Sequence, residues 1–289
     1  MGWTALKQKG NQSTRRKDPS GGPEAFKLER KGGENKKTEG RPHQNKGNNS
    51  GKTTIKCIYL NARSLRNKML ELEATALTSN YDVIGVTETW LSESDGDEYN
   101  ISGYTLYRKD RQDRRGGGVA LYIRNSLEPQ VLNLDEENNG ESIWVRILDK
   151  NSKGIIIGAC YRPPNSDAEQ NNLLYNDIRN ACRKGEAILM GDFNFPCIKW
   201  ENPMGGTTDE IEMVEMTNDC FLTQFVKEPT RGEACLDLVF SNNEDRITKT
   251  EVREPLANSD HNMVSFEVFF KTPKVMTKAK VYNFRKANY

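Results

Sequence analysis

Short apolar runs of strand length recur along most of this chain, and each is closed by a polar residue or a turn signal. Runs rich in Ile, Val, Leu and Phe predict strands near 55–60, 83–87, 119–123, 142–148, 155–160, 187–191, 236–240 and 263–269. Between them the apolar period lengthens to that of a helix. Leu65, Met69, Leu72 and Ala76 recur at spacings of three and four within Ser64–Thr78, with Ser64 as the expected cap. Leu174, Ile178, Ala181 and Cys182 repeat similarly within Asp167–Arg183, after Ser166, and a third helix is expected around Asp209–Asp219. Many strands with interspersed helices predict an α/β (α+β) domain of two packed sheets flanked by helices.

Charge divides the chain where the hydrophobic pattern begins. The net charge of +1 conceals a segment 1–52 carrying +8 and a remainder carrying −7. Residues 1–52 are rich in Gly, Asn, Gln, Lys and Ser and have almost no aliphatic residues, so they cannot bury enough apolar surface to offset their ordering entropy. A disordered basic tail is therefore expected, serving either as a sequence-independent attraction to nucleic acid or as a solvated linker. The folded domain is expected over 53–270, followed by a polar, basic segment 271–289. No stretch approaches a membrane span, and the first residues lack the apolar core of a secretory signal, so a nuclear or cytoplasmic protein is expected. The six scattered cysteines contain no Cys-x-x-Cys pair and read as free thiols rather than as zinc ligands.

Candidate chemistry sits where the apolar runs stop. The first strand ends in Asn61, the second is followed by Glu88, the fifth ends in Tyr161-Arg162-Pro163-Pro164, and the sixth in Gly191-Asp192-Phe193-Asn194. Ser259-Asp260-His261 stands before the last strand. Taken singly, Asp192 and Asn194 also suit a turn, Glu88 a solvated strand end and Tyr161 a stiff loop. His261 is one of two histidines, the other being His43 in the basic tail, and histidine is the usual proton shuttle near neutral pH. Strand ends meeting on one rim would gather these groups into a single rigid site.

Jointly, Asn61, Glu88, Tyr161, Asp192-x-Asn194, Asp237 within Leu236-Asp237-Leu238 and Ser259-Asp260-His261 resemble the endonuclease/exonuclease/phosphatase superfamily over roughly residues 55–270. That superfamily includes apurinic endonucleases, DNase I and inositol polyphosphate phosphatases. Within it, the chain is most similar to the endonuclease of CR1/jockey-type non-LTR retrotransposons. The narrower likeness rests on Leu60-Asn61-Ala62-Arg63-Ser64-Leu65, Glu88-Thr89-Trp90-Leu91, Arg115-Gly116-Gly117-Gly118-Val119, Pro229-Thr230-Arg231 and Tyr282-Asn283-Phe284-Arg285-Lys286-Ala287.

The resemblance implies a four-layer sandwich of two mixed β-sheets and a Mg²⁺-dependent phosphodiesterase, with Mn²⁺ as a substitute. It implies double-stranded DNA as substrate, a nick ending in a 3′-hydroxyl, and a reverse transcriptase domain as partner within a longer polyprotein, the nuclease acting as a monomer. Glu88 is the first-choice metal ligand, with Asn61 and Asp260 beside it. Asp237 would orient His261, either Asp192 or His261 would serve as the base, and Tyr161 and Asn194 would hold phosphate oxygens. Ser259 and Thr230 are supporting positions. DNA contacts are expected from Arg63, Arg66, Lys68, Arg114, Arg115 and Arg162, and from Arg108, Lys109 and Arg111. The Gly116–Gly118 run opens a strand rather than a helix, so a hairpin or bulge explains it better than a phosphate cradle. A phosphomonoesterase on the same scaffold and a catalytically silent nucleic-acid-binding protein remain alternatives.

Overall fold

Alternation along each strand divides its residues between two environments, and this builds the architecture. In β2 (Thr54–Asn61), Ile55, Cys57 and Tyr59 face one apolar cluster while Ile58 and Leu60 face another. In β8 (Ile155–Tyr161), Ile155, Ile157 and Ala159 join the first cluster, and Ile156 and Cys160 a third. The first cluster fills the space between two sheets, and the other two lie beneath helices on the outer faces. A computed structural model describes residues 4–5, 54–112, 116–134, 140–148 and 154–270.

One sheet has the order β1-β4-β5-β3-β2-β13-β12, formed by Thr4–Ala5, Tyr104–Lys109, Val119–Arg124, Val83–Thr87, Thr54–Asn61, Met263–Phe269 and Ile247–Arg253. The other has the order β10-β11-β9-β8-β7-β6, formed by Thr223–Gln224, Asp237–Ser241, Ala187–Asp192, Ile155–Tyr161, Ser142–Ile147 and Gln130–Val131. Both are mixed: β2 and β3 pair parallel, as do β8 and β9, and the remaining pairs are antiparallel. Helix α1 (Met69–Ser79) covers the first sheet with Leu72 and Ala76. Helices α2 (Ala168–Lys184) and α3 (Thr208–Asp219) cover the second with Leu174, Ile178, Met213 and Met216. The four-layer sandwich of two mixed sheets flanked by helices is therefore the fold.

All eight expected strands are present, and two longer ones were missed. β4 and β12 carry charged residues at alternate or terminal positions, and β12 is an edge strand whose side chains are mostly exposed or half-buried. The first helix is a correction. It begins at Met69 rather than Ser64, because Arg63 and Ser64 adopt left-handed φ of 40° and 85° and form a turn. The cap of α2 is Asp167, whose side chain accepts from the Gln170 N–H, not Ser166. Helix α3 has the capping box Thr207/Glu210. All six cysteines are free. The expected basic tail, apart from Thr4–Ala5 paired with β4, lies outside the described residues, as do Arg114, Arg115 and the segment 271–289.

Candidate active site

The inward-facing rows of four strands end at the same rim. Tyr59 is followed in phase by Asn61, Ala159 by Tyr161, Met190 by Asp192, and Val239 is preceded in phase by Asp237. Register aligns them: Tyr161 is the Cα partner of Asp192, which in turn partners Asp237, and Asn61 partners Thr87 in the facing sheet. Apolar alternation thus delivers an amide, a phenol and two carboxylates to the mouth of the gap between the sheets. Asn61, Asp192 and Asp237 are at most 1% exposed there.

Asn61 joins the two sheets. Its Nδ2 donates to Glu88 Oε1 and Asp192 Oδ2, each at 2.9 Å. Its Oδ1 accepts from the Arg63 N–H at 3.0 Å, and its carbonyl accepts from Ser259 Oγ at 2.8 Å. Tyr161 Oη donates to Glu88 Oε1 at 3.2 Å and Trp90 Nε1 to Glu88 Oε2 at 3.2 Å. Glu88 has φ +50° and Trp90 φ +54°, so this loop is held in a conformation that side chains disfavour. Backbone bonds hold it: Ser64 N donates to the Glu88 carbonyl, and Thr89 N and Trp90 N donate to the carbonyls of Gly118 and Gly117. The glycine run, with all three φ positive, therefore braces the Glu88 loop as it leads into β5.

His261 lies against Asp237, Nδ1 to Oδ2 at 2.8 Å, with both residues buried. Thr230 Oγ1 accepts from the Leu236 and Asp237 N–H groups and fixes the start of β11. Ser259 Oγ accepts from the His261 N–H at 3.3 Å. Ligand atoms of Asp192, Asp237 and His261 come within 4.8 Å of one another. Burial pushes the Asp192 carboxyl well above its ordinary range, and the nearby Asp237 charge adds to this against the opposing effects of His261 and Asn61. Burial alone would lower the His261 pKa, but the Asp237 bond and the charges of Asp237 and Asp192 outweigh it and raise the net value. Asn194, at φ +53°, donates through N to Asp192 Oδ1 (3.2 Å) and through Nδ2 to the Arg162 carbonyl (2.9 Å).

Three expected placements differ. Asp260 is not in the buried cluster but at its edge, where Arg63 and Arg231 hold it at 3.0 and 2.7 Å. Arg162, expected on a DNA-contacting rim, is 3% exposed. Since Tyr161 faces inward, the next residue turns to the opposite side of the sheet, where the Arg162 guanidinium bonds Asn171 and Asp209 and stacks 4.0 Å over Phe195. Lys68 is also buried, its Nζ donating to the Ala62 carbonyl at 2.6 Å. Arg108 bonds the Ser92 and Asp95 carbonyls, Lys109 the Gly140 carbonyl and Arg111 the Glu141 carboxylate. Arg63 and Arg66 stay about half exposed, Arg66 beside Asp95 at 2.7 Å.

Sequence reasoning gave Arg231 no role of its own, though it stands in the Pro229-Thr230-Arg231 run, and passed over the Arg111–Glu141 pair and the buried Tyr59–Thr87 bond of 2.6 Å. For Tyr59, the alternation that selects Asn61 carries the signal. The ion partners are tertiary and leave no local trace.

The family model for the endonuclease/exonuclease/phosphatase family matches residues 50–261. The chain belongs to the endonuclease/exonuclease/phosphatase family. That family span includes Asn61, Glu88, Tyr161, Asp192, Asp237 and His261. A curated relative, the probable RNA-directed DNA polymerase from transposon BS of Drosophila melanogaster, is 24% identical over 194 residues, which is 63% of this chain and 21% of the relative. The chain thus spans about a fifth of that relative's length. Among solved structures, the endonuclease domain of TRAS1, a telomere-specific non-LTR retrotransposon, superposes with a TM-score of 0.60 at 18% identity, covering 76% of this chain and all of that one. An AP endonuclease from Leishmania major gives 0.61 at 15% identity, covering 75% of this chain and 88% of its own. The Xenopus laevis APE2 catalytic domain gives 0.59 at 17%, covering 76% and 93%. These solved structures share the two-sheet fold. Among the described residues, no helix is long and apolar enough to cross a membrane.

Proposed function

We propose that this family member is a divalent-cation-dependent DNA endonuclease that nicks one strand and leaves a 3′-hydroxyl. One observation carries the reading: four apolar strand rows end in Asn61, Tyr161, Asp192 and Asp237, bringing them together with Glu88 and His261 at one rim. The donor set fits a hard cation, being composed largely of carboxylate and amide oxygens. The Asp237 Oδ1 atom is buried without a hydrogen-bond partner, and Asp192 lies close to a second buried carboxylate, so positive charge there would relieve both. Glu88 would be the principal ligand for Mg²⁺ or Mn²⁺, assisted by Asp260 once freed from its arginines and by Asn61 once its amide turns to present Oδ1 in place of Nδ2. The bound cation supplies Lewis-acid polarisation of a phosphate oxygen and stabilises negative charge on the departing one.

The chain's own residues manage the protons. With Asp237 accepting at Nδ1, the imidazole keeps one orientation and presents Nε2 to substrate. Its raised pKa favours the protonated ring, a donor to a non-bridging phosphate oxygen. Asp192, once a nearby cation restores the carboxylate that burial disfavours, takes a proton from the attacking water. The water oxygen bonds to phosphorus as the bond from phosphorus to the 3′ oxygen breaks, and that oxygen takes a proton from solvent water to become the 3′-hydroxyl. Tyr161 and Asn194 hold phosphate oxygens. Arg66, Asn67, Trp90, Arg111 and Gln112 line a cavity of about 630 Å³ next to Glu88, giving the DNA backbone a polar path. The curated relative's name supports a longer polyprotein in which the nick primes an adjoining reverse transcriptase.

The test is relaxation of supercoiled plasmid by the full chain. Nicking with Mg²⁺, its loss in EDTA, and a loss of roughly 10²–10³-fold in Glu88→Gln are expected. Nicking that persists in EDTA and in Glu88→Gln overturns the reading, as does hydrolysis of a soluble phosphomonoester in place of DNA.

A further inference from the structure

The two arginines on Asp260 come from segments about 170 residues apart in sequence, and each is fixed by its backbone. Arg63 N donates to Asn61 Oδ1 within the left-handed turn that follows β2. Arg231 forms an isolated bridge with Ala234, in the turn whose Thr230 carbonyl accepts from the Asn262 N–H at 2.8 Å. Asp260 is fixed between them, because Ser259 Oγ is tied to the Asn61 carbonyl at 2.8 Å. The three side chains therefore converge on scaffolds anchored to Asn61 and to the start of β11, beside His261.

Their charge is unbalanced. Two guanidinium groups face one carboxylate, leaving a net positive charge for a further anion. Arg63 is 49% exposed, Arg231 44% and Asp260 36%, so water and solutes reach the pairs and their hold is exchangeable. Paired guanidinium groups match phosphate oxygens as well as carboxylate oxygens, and two of them can share the two non-bridging oxygens of one phosphodiester through parallel bonds.

We propose that Arg63 and Arg231 form a clamp for a backbone phosphate of DNA, in which the Asp260 carboxylate is the placeholder. An arriving phosphodiester oxyanion displaces Asp260 from the arginines, freeing its carboxylate beside the catalytic cluster only when substrate is bound. The inference rests on the DNA-nicking reading and adds to it a residue, Arg231, and a binding order.

The experiment measures binding of a short duplex to the full chain by fluorescence anisotropy across a salt series in EDTA, where nothing is cut. Asp260→Asn is expected to tighten binding by about fivefold or more at low salt by unmasking the clamp. Arg231→Ala is expected to weaken binding and make the log–log salt slope shallower by about one. The Arg231→Ala loss should be larger in the Asp260→Asn background than in the wild type, since there the arginine is already free. Arg63→Ala should couple to Asp260→Asn in the same direction, and Asp260→Ala should reproduce the sign. Binding unchanged or weakened by Asp260→Asn, or equal Arg231→Ala losses in both backgrounds, overturns the clamp. The same proteins assayed on plasmid with Mg²⁺ separate the two readings. Nicking without coupling defeats the clamp alone, whereas coupling without nicking supports the clamp and defeats the endonuclease reading.

Discussion

Val239 and Asp237 lie two residues apart on β11, face the same way and are both fully buried. Val239 packs among apolar side chains from both sheets, where burial contributes favourably at about 25 cal/mol per Å² of apolar area. Asp237 has one oxygen bonded to His261 and one without a partner. The same change occurs from Met190 to Asp192 on β9 and from Tyr59 to Asn61 on β2. One backbone thus passes from a region that stabilises the fold to a rim that loads it with desolvated polar groups. The interior can bear this because its strands are held by complete ladders and by both sheets' side chains. The rim in turn acquires positional rigidity that loops alone would not provide.

Damage to each region separately tests whether interior and rim are independent. Trp144 is fully buried on the outer face of β7, its ring packed over Gly158, where a Cβ would sit only 2.3 Å from the ring. Trp144→Ala is expected to lower unfolding free energy by about 3–5 kcal/mol in urea titrations. The nicking rate per folded molecule should stay near wild type. Glu88→Gln should show the reverse, with its rate lost and its urea midpoint lowered far less than by Trp144→Ala, since it forfeits only the bond that its NH2 now faces. If both variants lose stability and rate together, the interior and the rim are not separable regions.

A smaller effect distinguishes the cost of the rim from its chemistry. Burial and the Asp237 charge disfavour an ionised Asp192, so its carboxylate loads the fold when no cation is present. Asp192→Asn removes the ionisable group and can keep the Asn61 bond, at the loss of the bond from the Asn194 N–H, which would then face an amide NH2. In EDTA this variant should melt a few degrees above wild type although it no longer nicks DNA. Adding Mg²⁺ should narrow the gap, because a ligand raises the stability only of the protein that binds it. A variant that melts below wild type in EDTA would show that the Asp192 bonds outweigh its repulsion.

The same division explains what could be read from the sequence. Strands buried on both faces, such as Ile155–Tyr161, announce themselves as continuous apolar runs. β12 is an edge strand, and its Thr248, Lys249 and Arg253 face water, so no apolar run marks it. Ser64 looked like a helix cap because its chemistry suits one, but backbone bonds from Ser64 and Leu65 to the Glu88 and Thr89 carbonyls bind it into the site instead. Asn61, Tyr161, Asp192 and His261 were legible as polar residues interrupting or adjoining apolar runs. Arg162 was misplaced because strand alternation, continued one residue past Tyr161, sends it to the far face. The Arg63 and Arg231 partners of Asp260 were not legible, because nothing local to it records either of them.

The least costly probe of the rim is acid. Apolar packing has no titratable groups, whereas the loops around the site carry carboxylates that acid protonates. Asp95 belongs to the loop that continues from Glu88 and Trp90. It accepts from Ser92 N at 2.7 Å, Ser92 Oγ at 2.8 Å and Arg66 at 2.7 Å. Burial alone would raise its carboxyl pKa, but the Ser92 bonds and the Arg66 and Arg108 charges prevail and hold it below the ordinary value. The unfolded chain protonates Asp near pH 4. Above that pH the depressed native pKa contributes its full stabilisation, and the contribution fades as pH falls through the native value. Asp95→Asn should therefore melt below wild type at pH 7 by a small margin that shrinks steadily below about pH 4. Nicking should weaken only modestly, through loosening of the Glu88 loop rather than loss of a reacting group. A melting difference that stays constant from pH 7 to pH 3 would place the Asp95 contribution in shape and packing, and the rim's loops would then resemble the interior more than the ion pairs imply.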